Sequence, residues 1–391
     1  MTAAENLILV GGRIIDPASG LAETGDLAVA DGRIAALGEA GDVPGDARRV
    51  DCTGAYVVPG LIDAHSHIFR HVSKVGAPVD EAHLARGVVA ACDAGTAGAS
   101  TFPAFRELVV APSRTRVLSF LNVSVLGLVD FRFGELLNPR TLVAEDAVKT
   151  AKENADVVRG FKIRMSTDVV GEDPDDSLAL LDAATAVSEE AGLRLMVHIG
   201  ETPVSLDRII ERLRPGDVVA HCYTGKEENI LDHAGAVRRS VLEARGRGVL
   251  FESAHGKSNF SYAVARPAIE QGFLPDVVSS DTSYRNWNGP VFDLTTTMSK
   301  LVALGMTFDQ VLSRATVAPA SLLGLAGEGY GCLEVGGPAH VTVLRHLEEP
   351  EELPDAAGGS LPVRRFEPEL TLVAGEPVTP VAWRGHVSSL T

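Results

Sequence analysis

Gly60-Leu-Ile-Asp-Ala-His-Ser-His67 is the stretch that decides the fold. An apolar run of strand character ends in two histidines separated by one residue, and side chains at i and i+2 leave a strand on the same face. Two imidazoles so placed can converge on one cation. Four later apolar runs are each interrupted near their C-terminal end by a polar group. They are Lys162 in Arg159-Gly-Phe-Lys-Ile-Arg164, His198 in Leu195-Met-Val-His-Ile199, His221 in Val218-Val-Ala-His-Cys222 and Asp281 in Val277-Val-Ser-Ser-Asp281. A charge buried mid-core is costly unless paired, whereas the C-terminal ends of parallel barrel strands are where catalytic groups gather. Unrelated core histidines would not all stop at the same end, so the set reads as a metal site.

Working outward from that stretch, eight Val/Ile/Leu-rich runs alternate with longer amphipathic ones. The predicted strands lie near Leu61 to His65, Ala97 to Phe102, Arg116 to Val125, Val157 to Arg164, Leu193 to Ile199, Asp217 to Cys222, Val249 to Ala254 and Asp276 to Asp281. Asp80 to Ala94, Asn138 to Asn154 and Asp175 to Ala191 have helical composition and spacing. This alternation predicts an α/β fold, a (β/α)8 TIM barrel over residues 59–326. Residues 1–58 and 327–391 are short strands punctuated by turns, among them Asn6 to Val10, Arg13 to Asp16 and Val378-Thr-Pro-Val381. They are expected to form one small β-domain from both ends of the chain. Acidic, Pro- and Gly-rich Glu348 to Gly359 reads as a solvated loop.

The 391 residues carry a formal net charge of −17, which repels phosphate backbones and anionic headgroups, so neither nucleic acid nor membrane is an expected partner. The uncharged run from Val117 to Val129 is shorter than the ~18 residues of a spanning helix. The N-terminus has no basic region leading into an apolar stretch, so a cytoplasmic protein is expected. Cys52, Cys92, Cys222 and Cys332 are far apart and form no Cys-X-X-Cys pair, which suits buried small side chains better than a disulfide framework.

His65-Ser-His67, Lys162, His198, His221 and Asp281, in that order on predicted strands one, four, five, six and eight, resemble the binuclear branch of the amidohydrolase superfamily. Asp93-Ala-Gly-Thr-Ala-Gly98, Phe105-Arg-Glu107, His221-Cys-Tyr-Thr-Gly225, Ala254-His-Gly256 and Asn288-Gly-Pro-Val-Phe-Asp293 are similar to its amidohydrolase/deacetylase subgroup. The resemblance implies two divalent ions, zinc first with manganese, iron or cobalt also fitting. Lys162, once its amine is neutral and has added CO2, would bridge them as a carbamate. His65, His67 and Asp281 would hold one ion, and His198 and His221 the other. Two ions sharing a water lower its pKa and generate hydroxide near neutrality, so hydrolysis is the implied chemistry, with Asp281 as the proton carrier.

The expected substrate is a small amide or ester carrying a carboxylate, such as an N-acyl amino acid or an acetylated hydroxy acid, from which the enzyme removes the acyl group. Arg106, Arg164, Tyr223, His255, Arg285 and Asn288 are the candidate substrate contacts, the arginines because a guanidinium fork suits a carboxylate. Similar dihydroorotases and hydantoinases carry His-X-His-X-Arg. Here that position is Phe69 and the arginine comes one later, at Arg70, which in a strand turns it to the opposite face. A cyclic amide hydrolase is therefore the alternative, followed by a mononuclear deaminase using Glu201 and by a non-catalytic scaffold. The helical outer surface of such a barrel also suits homo-oligomers.

Overall fold

A computed structural model describes residues 6–38, 47–378 and 380. The chain opens with β1 (Leu7–Asp16), β2 (Leu21–Ala30), β3 (Arg33–Gly38), β4 (Arg48–Asp51) and β5 (Tyr56–Pro59). Asn6 to Val10 and Arg13 to Asp16, read as two strands, are one: β1 runs through both with a register shift between Leu9 and Gly12. Then come β6 (Leu61–Ser66), β7 (Val88–Gly98), β8 (Arg116–Asn122), β9 (Val158–Arg164), β10 (Arg194–His198), β11 (Val218–Ala220) and β12 (Leu250–Phe251). These seven form a parallel sheet in sequence order. The last strands are β13 (Val341–His346), β14 (Glu351–Pro354), β15 (Ser360–Val363), β16 (Phe366–Val373) and β17 (Glu376–Val378). An eight-stranded sheet runs β17-β16-β13-β5-β1-β2-β3 with β4 on β1, so it draws on both ends of the chain.

The parallel sheet is curled, and its two edges are bridged by a segment that is not a regular strand. On one side Ser253 N donates to Val277 O (3.1 Å) and Gly256 N to Ser280 O (3.0 Å). On the other, Asp281 N donates to His65 O (2.7 Å) and His67 N to Thr282 O (2.8 Å). Inside the curl pack Ile62, Ala90, Cys92, Leu118, Phe120, Met196 and Val218, with Leu322 and Leu323 against them. Residues of the other parity, including Phe161, Ile163, Leu195, Val197 and Val219, face the helices. Each such side chain taken fully from water contributes roughly 1.5–3 kcal/mol. That two-sided burial explains why these strands read as unbroken apolar runs.

The helices follow local chemistry. Pro174–Ala191 starts at Asp173, whose carboxylate accepts from Asp175 N and Asp176 N, and ends at Gly192 in the left-handed region. Phe308–Ala315 opens with a capping box of Thr307 and Gln310. Among the described residues no helix is long and apolar enough to cross a membrane. Cys52, Cys92 and Cys222 are buried and all four cysteines are free.

Four expectations need correction. Asp80 to Ala94 is not one helix: a short helix Val79–Ala82 and a turn Leu84–Arg86 end at Gly87, and β7 begins at Val88. The alanines of Val88–Gly98 belong to a strand buried on both faces, where the narrow interior selects small side chains rather than helix formers. The strand placed at Ala97 to Phe102 accordingly ends at Gly98, and Phe102 starts a helical turn. Glu348 to Gly359 is not a solvated loop, because β14 pairs with β15 as a hairpin. Its Leu353 is buried with Phe292 and Val363, and buried Asp355 accepts from Tyr262 N, Ala357 N and Gly359 N. Asn138 to Asn154 splits into a turn Pro139–Thr141 and a helix Ala144–Glu153. Thr379 and Val381 of the last expected strand lie outside the described residues.

Candidate metal centre and pocket

Four strand ends and the bridging segment bring the six singled-out side chains together at one rim. His67 Nε2 lies 3.2 Å and His65 Nε2 3.8 Å from Asp281 Oδ1. Lys162 Nζ is 3.4 Å from His65 Nε2. The His221 ring centre is 5.0 Å from that of His65 and 4.4 Å from that of His198. Among the described residues, His65, His221 and Asp281 form a group whose donor atoms all lie within 4.8 Å of one another, a spacing able to hold a metal ion.

Hydrogen bonds behind the site fix which ring nitrogen is free. His221 Nδ1 lies 3.0 Å from Ala254 O, which can only accept, so Nδ1 carries the proton and Nε2 keeps its lone pair. That Nε2 is buried and has no hydrogen-bond partner. An orphaned lone pair aimed into a cluster of imidazole and carboxylate donors is what a bound cation satisfies. His65 Nδ1 lies 2.8 Å from Glu252 Oε2, and the other Glu252 oxygen accepts from Ser279 Oγ. His67 Nδ1 meets Thr96 Oγ1 at 2.8 Å, and Thr96 is held by Asp93, which accepts from Thr96 N (2.7 Å) and Ile68 N (3.1 Å). Asp63 accepts from Ser280 N and Ser280 Oγ, tying β6 to the segment that ends in Asp281.

His221 and Asp281 both occupy the left-handed backbone region, at φ 66° and 53°. Such residues typically store ~1–3 kcal/mol and persist where bonds over-determine them. Here Asn286 Nδ2 donates to Asp281 O (2.8 Å) and Thr224 N to His221 O (2.9 Å). Gly256, at φ 59°, lies so close that a Cβ there would come within 2.3 Å of Asp281 Oδ2. Gly95, at φ 92°, likewise makes room for the Lys162 stem.

Electrostatics favour metal-binding protonation states. Burial, reinforced by Lys162, holds His65 well below the usual imidazole value; burial and His221 do the same for His198. Burial also lowers His221. Burial brings the Lys162 ammonium down to about 8 against the opposing pull of Glu252 and Asp281, so roughly a tenth of the amine is neutral at pH 7. Burial works against ionisation of Asp281, yet His65 and His67 outweigh it and keep the carboxyl below the ordinary range.

A cavity of about 400 Å³ opens above these groups, with His67, His198 and Asp281 at its base and Phe131, Arg164, Lys226, Lys257, Arg285 and Asn286 among its walls. Of the expected substrate contacts only Arg164 and Arg285 lie there. Arg106 instead pairs with Asp156 through two bonds (2.9 and 2.8 Å) on the helical side. Tyr223 is fully buried, its hydroxyl donating to Phe273 O (2.7 Å). His255 is enclosed between Lys300 Nζ (2.9 Å) and Gly256 O (2.8 Å) and stacks on Phe260. Asn288 is exposed outside the pocket, and the side chain that serves the site is Asn286. Tyr223 and His255 looked like mouth residues because each directly follows an expected strand, but both turn into the packing behind it.

Reading the sequence missed Glu252, Asp63, Thr96 and Glu135. Glu252 and Asp63 each break an apolar strand, the same signal that singled out Lys162; Thr96 lies in the Asp93–Gly98 stretch but was given no role of its own there, and Glu135 carries no signal before the loops are folded. Phe69 is buried against Phe105 at 5.2 Å, and Arg70 lies 3.9 Å from Glu81, so no arginine follows the His-X-His pair into the pocket.

The model of the amidohydrolase family matches residues 56–378. A deacetylase of Agrobacterium fabrum is 34% identical over 350 residues, covering 89% of this chain and 85% of its own. A crystal structure described as a dihydroorotase aligns at a TM-score of 0.88 with 31% identity, over 96% of this chain and 99% of that one. A crystal structure described as an adenine deaminase aligns at 0.87 with 31% identity, over 96% and 100%.

Proposed function

Because the chain belongs to the amidohydrolase family, we propose that it removes an acyl group from a small, carboxylate-bearing amide or ester, such as an N-acyl amino acid or an acetylated hydroxy acid. The observation that carries this reading is the buried, unpartnered His221 Nε2 inside the group it forms with His65 and Asp281. The deacetylase relative supports the choice of bond. The framework we assign is a (β/α)8 barrel with a composite β-domain, in which the bridging segment takes the place of the eighth strand.

In this reading His65, His67 and Asp281 would hold one divalent cation and His198 and His221 the other, with Lys162, as a carbamate, available to both. The two cations, zinc in the first instance, would supply Lewis-acid polarisation of the acyl carbonyl and a water acidified towards neutrality. Lys162 reaches the carbamate form because burial leaves part of its amine neutral, and only the free amine adds CO2. Asp281, ionised, takes the proton of the attacking water and returns it to the departing nitrogen or oxygen. Glu252 holds His65 in the tautomer that offers Nε2.

A cyclic amide hydrolase is the second reading, favoured by the structural match to a dihydroorotase. Against it stand buried Phe69 and outward Arg70, which leave the pocket without the arginine expected beside the His-X-His pair. A deaminase would need Glu201 deep in the site, whereas Glu201 pairs with Lys226 at the rim with its side chain 64% exposed. The test is a screen of N-acetyl, N-formyl and N-succinyl D- and L-amino acids, acetyl esters, dihydroorotate and adenine, after incubation with bicarbonate and zinc or manganese. Turnover of acyl substrates, lost in Lys162→Ala, is expected. Turnover of dihydroorotate or adenine alone would overturn the assignment.

A further inference from the structure

Four cations wall the pocket, and they are not equivalent. Arg164 spends its fork on Glu135, with Nε to Oε1 at 2.7 Å and Nη2 to Oε2 at 2.8 Å. Lys226 meets Glu201 at 2.5 Å. Among the described residues, neither Arg285 nor Lys257 has a carboxylate within ion-pair reach, and Arg285 contacts only the ring of Phe131, 5.1 Å from its guanidinium carbon. Arg164 also lies over that ring, at 5.0 Å, so Phe131 is shared between one neutralised guanidinium and one open one.

The backbone that carries Arg285 is fixed relative to the reacting end of the pocket. Arg285 lies in the turn after Asp281, which Asn286 pins from both sides. Its Nδ2 donates to Asp281 O (2.8 Å) and its Oδ1 accepts from Ser283 N (2.8 Å). Thr282, in the same turn, accepts from His67 N at 2.8 Å. Lys257 follows Gly256, which itself packs against Asp281, so the two open cations differ in their head groups rather than in the anchoring of their backbone. A planar fork also matches a carboxylate through two parallel bonds. Exposed Asp168 also lines the pocket and acts on Arg164, which further offsets the Arg164 charge.

We infer that Arg285 is the specificity-determining residue that reads the substrate carboxylate, an inference that rests on the acyl-hydrolase reading above. The substrate class this defines is a compact acyl compound whose carboxylate sits close to the acylated nitrogen or oxygen, within a cavity of about 400 Å³. Arg164 keeps Phe131 in place and leaves the anion to its neighbour.

The experiment compares an N-acyl amino acid with its neutral carboxamide, and measures calorimetric binding of the deacylated carboxylate product, in wild type, Arg285→Met, Arg285→Lys and Lys257→Met. Wild type should prefer the acid. Arg285→Met should raise KM for the acid and weaken product binding about 10- to 100-fold while changing the carboxamide far less, Arg285→Lys should recover part of the loss, and Lys257→Met should cost only a few-fold. Equal losses on acid and carboxamide in Arg285→Met, an unchanged KM for the acid, or the main loss in Lys257→Met would overturn the inference. Wild type that hydrolyses acid and carboxamide equally well also overturns it while leaving the acyl-hydrolase reading intact, whereas wild type that hydrolyses neither sinks that reading itself.

Discussion

Replacing Glu252 by glutamine separates the chemistry of the site from its packing. The carboxylate is fully buried, lies 2.8 Å from His65 Nδ1 and accepts from Ser279 Oγ at its other oxygen. Glutamine has the same shape; its carbonyl can accept from His65 while its amide donates to the serine hydroxyl, so no polar group is orphaned. What disappears is the charge. A hydrogen bond to a charged group contributes ~1.5–3 kcal/mol and a neutral one about half, so His65 loses roughly 0.8–1.5 kcal/mol of support, about a 4- to 12-fold loss of cation affinity. The metal-free protein should not lose stability, because burial already pushes the Glu252 carboxyl up and glutamine removes that cost. Chelator competition with zinc gives the affinity, and urea unfolding of the metal-free protein gives the stability. Unchanged affinity, or a stability loss as large as the affinity loss, would refute the role assigned to Glu252.

Asp281→Asn should lower kcat by about 10²- to 10⁴-fold on the acyl substrate found by the screen, the usual worth of a positioned proton carrier; a loss below tenfold would remove it from that role. The metal-free protein should gain stability as pH rises from about 8 to 10.5, because over that window the unfolded chain binds a proton on Lys162 that the folded one refuses. The gain is about 3 kcal/mol and should vanish in Lys162→Met; identical pH slopes for the two proteins in urea titrations would contradict it. Asp355→Ala strips the shared acceptor from three backbone N–H groups, those of Tyr262, Ala357 and Gly359, and should cost about 1–3 kcal/mol in urea unfolding. A change below about 0.5 kcal/mol, the scatter of ordinary surface substitutions, would mean that the hairpin is held by other contacts.

What the sequence made legible follows from where polar groups are expensive. Lys162, His198, His221 and Asp281 stand out because each breaks an apolar run at the same end, and the structure gathers them with His65 and His67 at one rim. The Arg285 turn follows the last of those breaks and lines the pocket, so it too was within reach. Arg106, Tyr223 and His255 were not separable from true pocket residues, because sequence proximity to a strand end says nothing about whether Asp156, the Phe273 carbonyl or Lys300 waits behind it. The misread helix at Asp80 to Ala94 has the same origin. Alanine favours helices in isolation, but in Val88–Gly98 its small size is used to fit a strand into a crowded interior. The hairpin at 351–363 was hidden by its charge: Glu352 is exposed and Glu351 half-buried, and the buried carboxylate of Asp355 is recognisable only once Tyr262 is beside it.

The most direct test is the metal content and lysine chemistry of the protein itself, read from anomalous diffraction of crystals grown after incubation with zinc and bicarbonate. Two anomalous peaks bracketed by His65, His67, His198, His221 and Asp281, with added density on Lys162 joining them, are the expected result. A single peak facing an unmodified amine, or none, would contradict the account at its root.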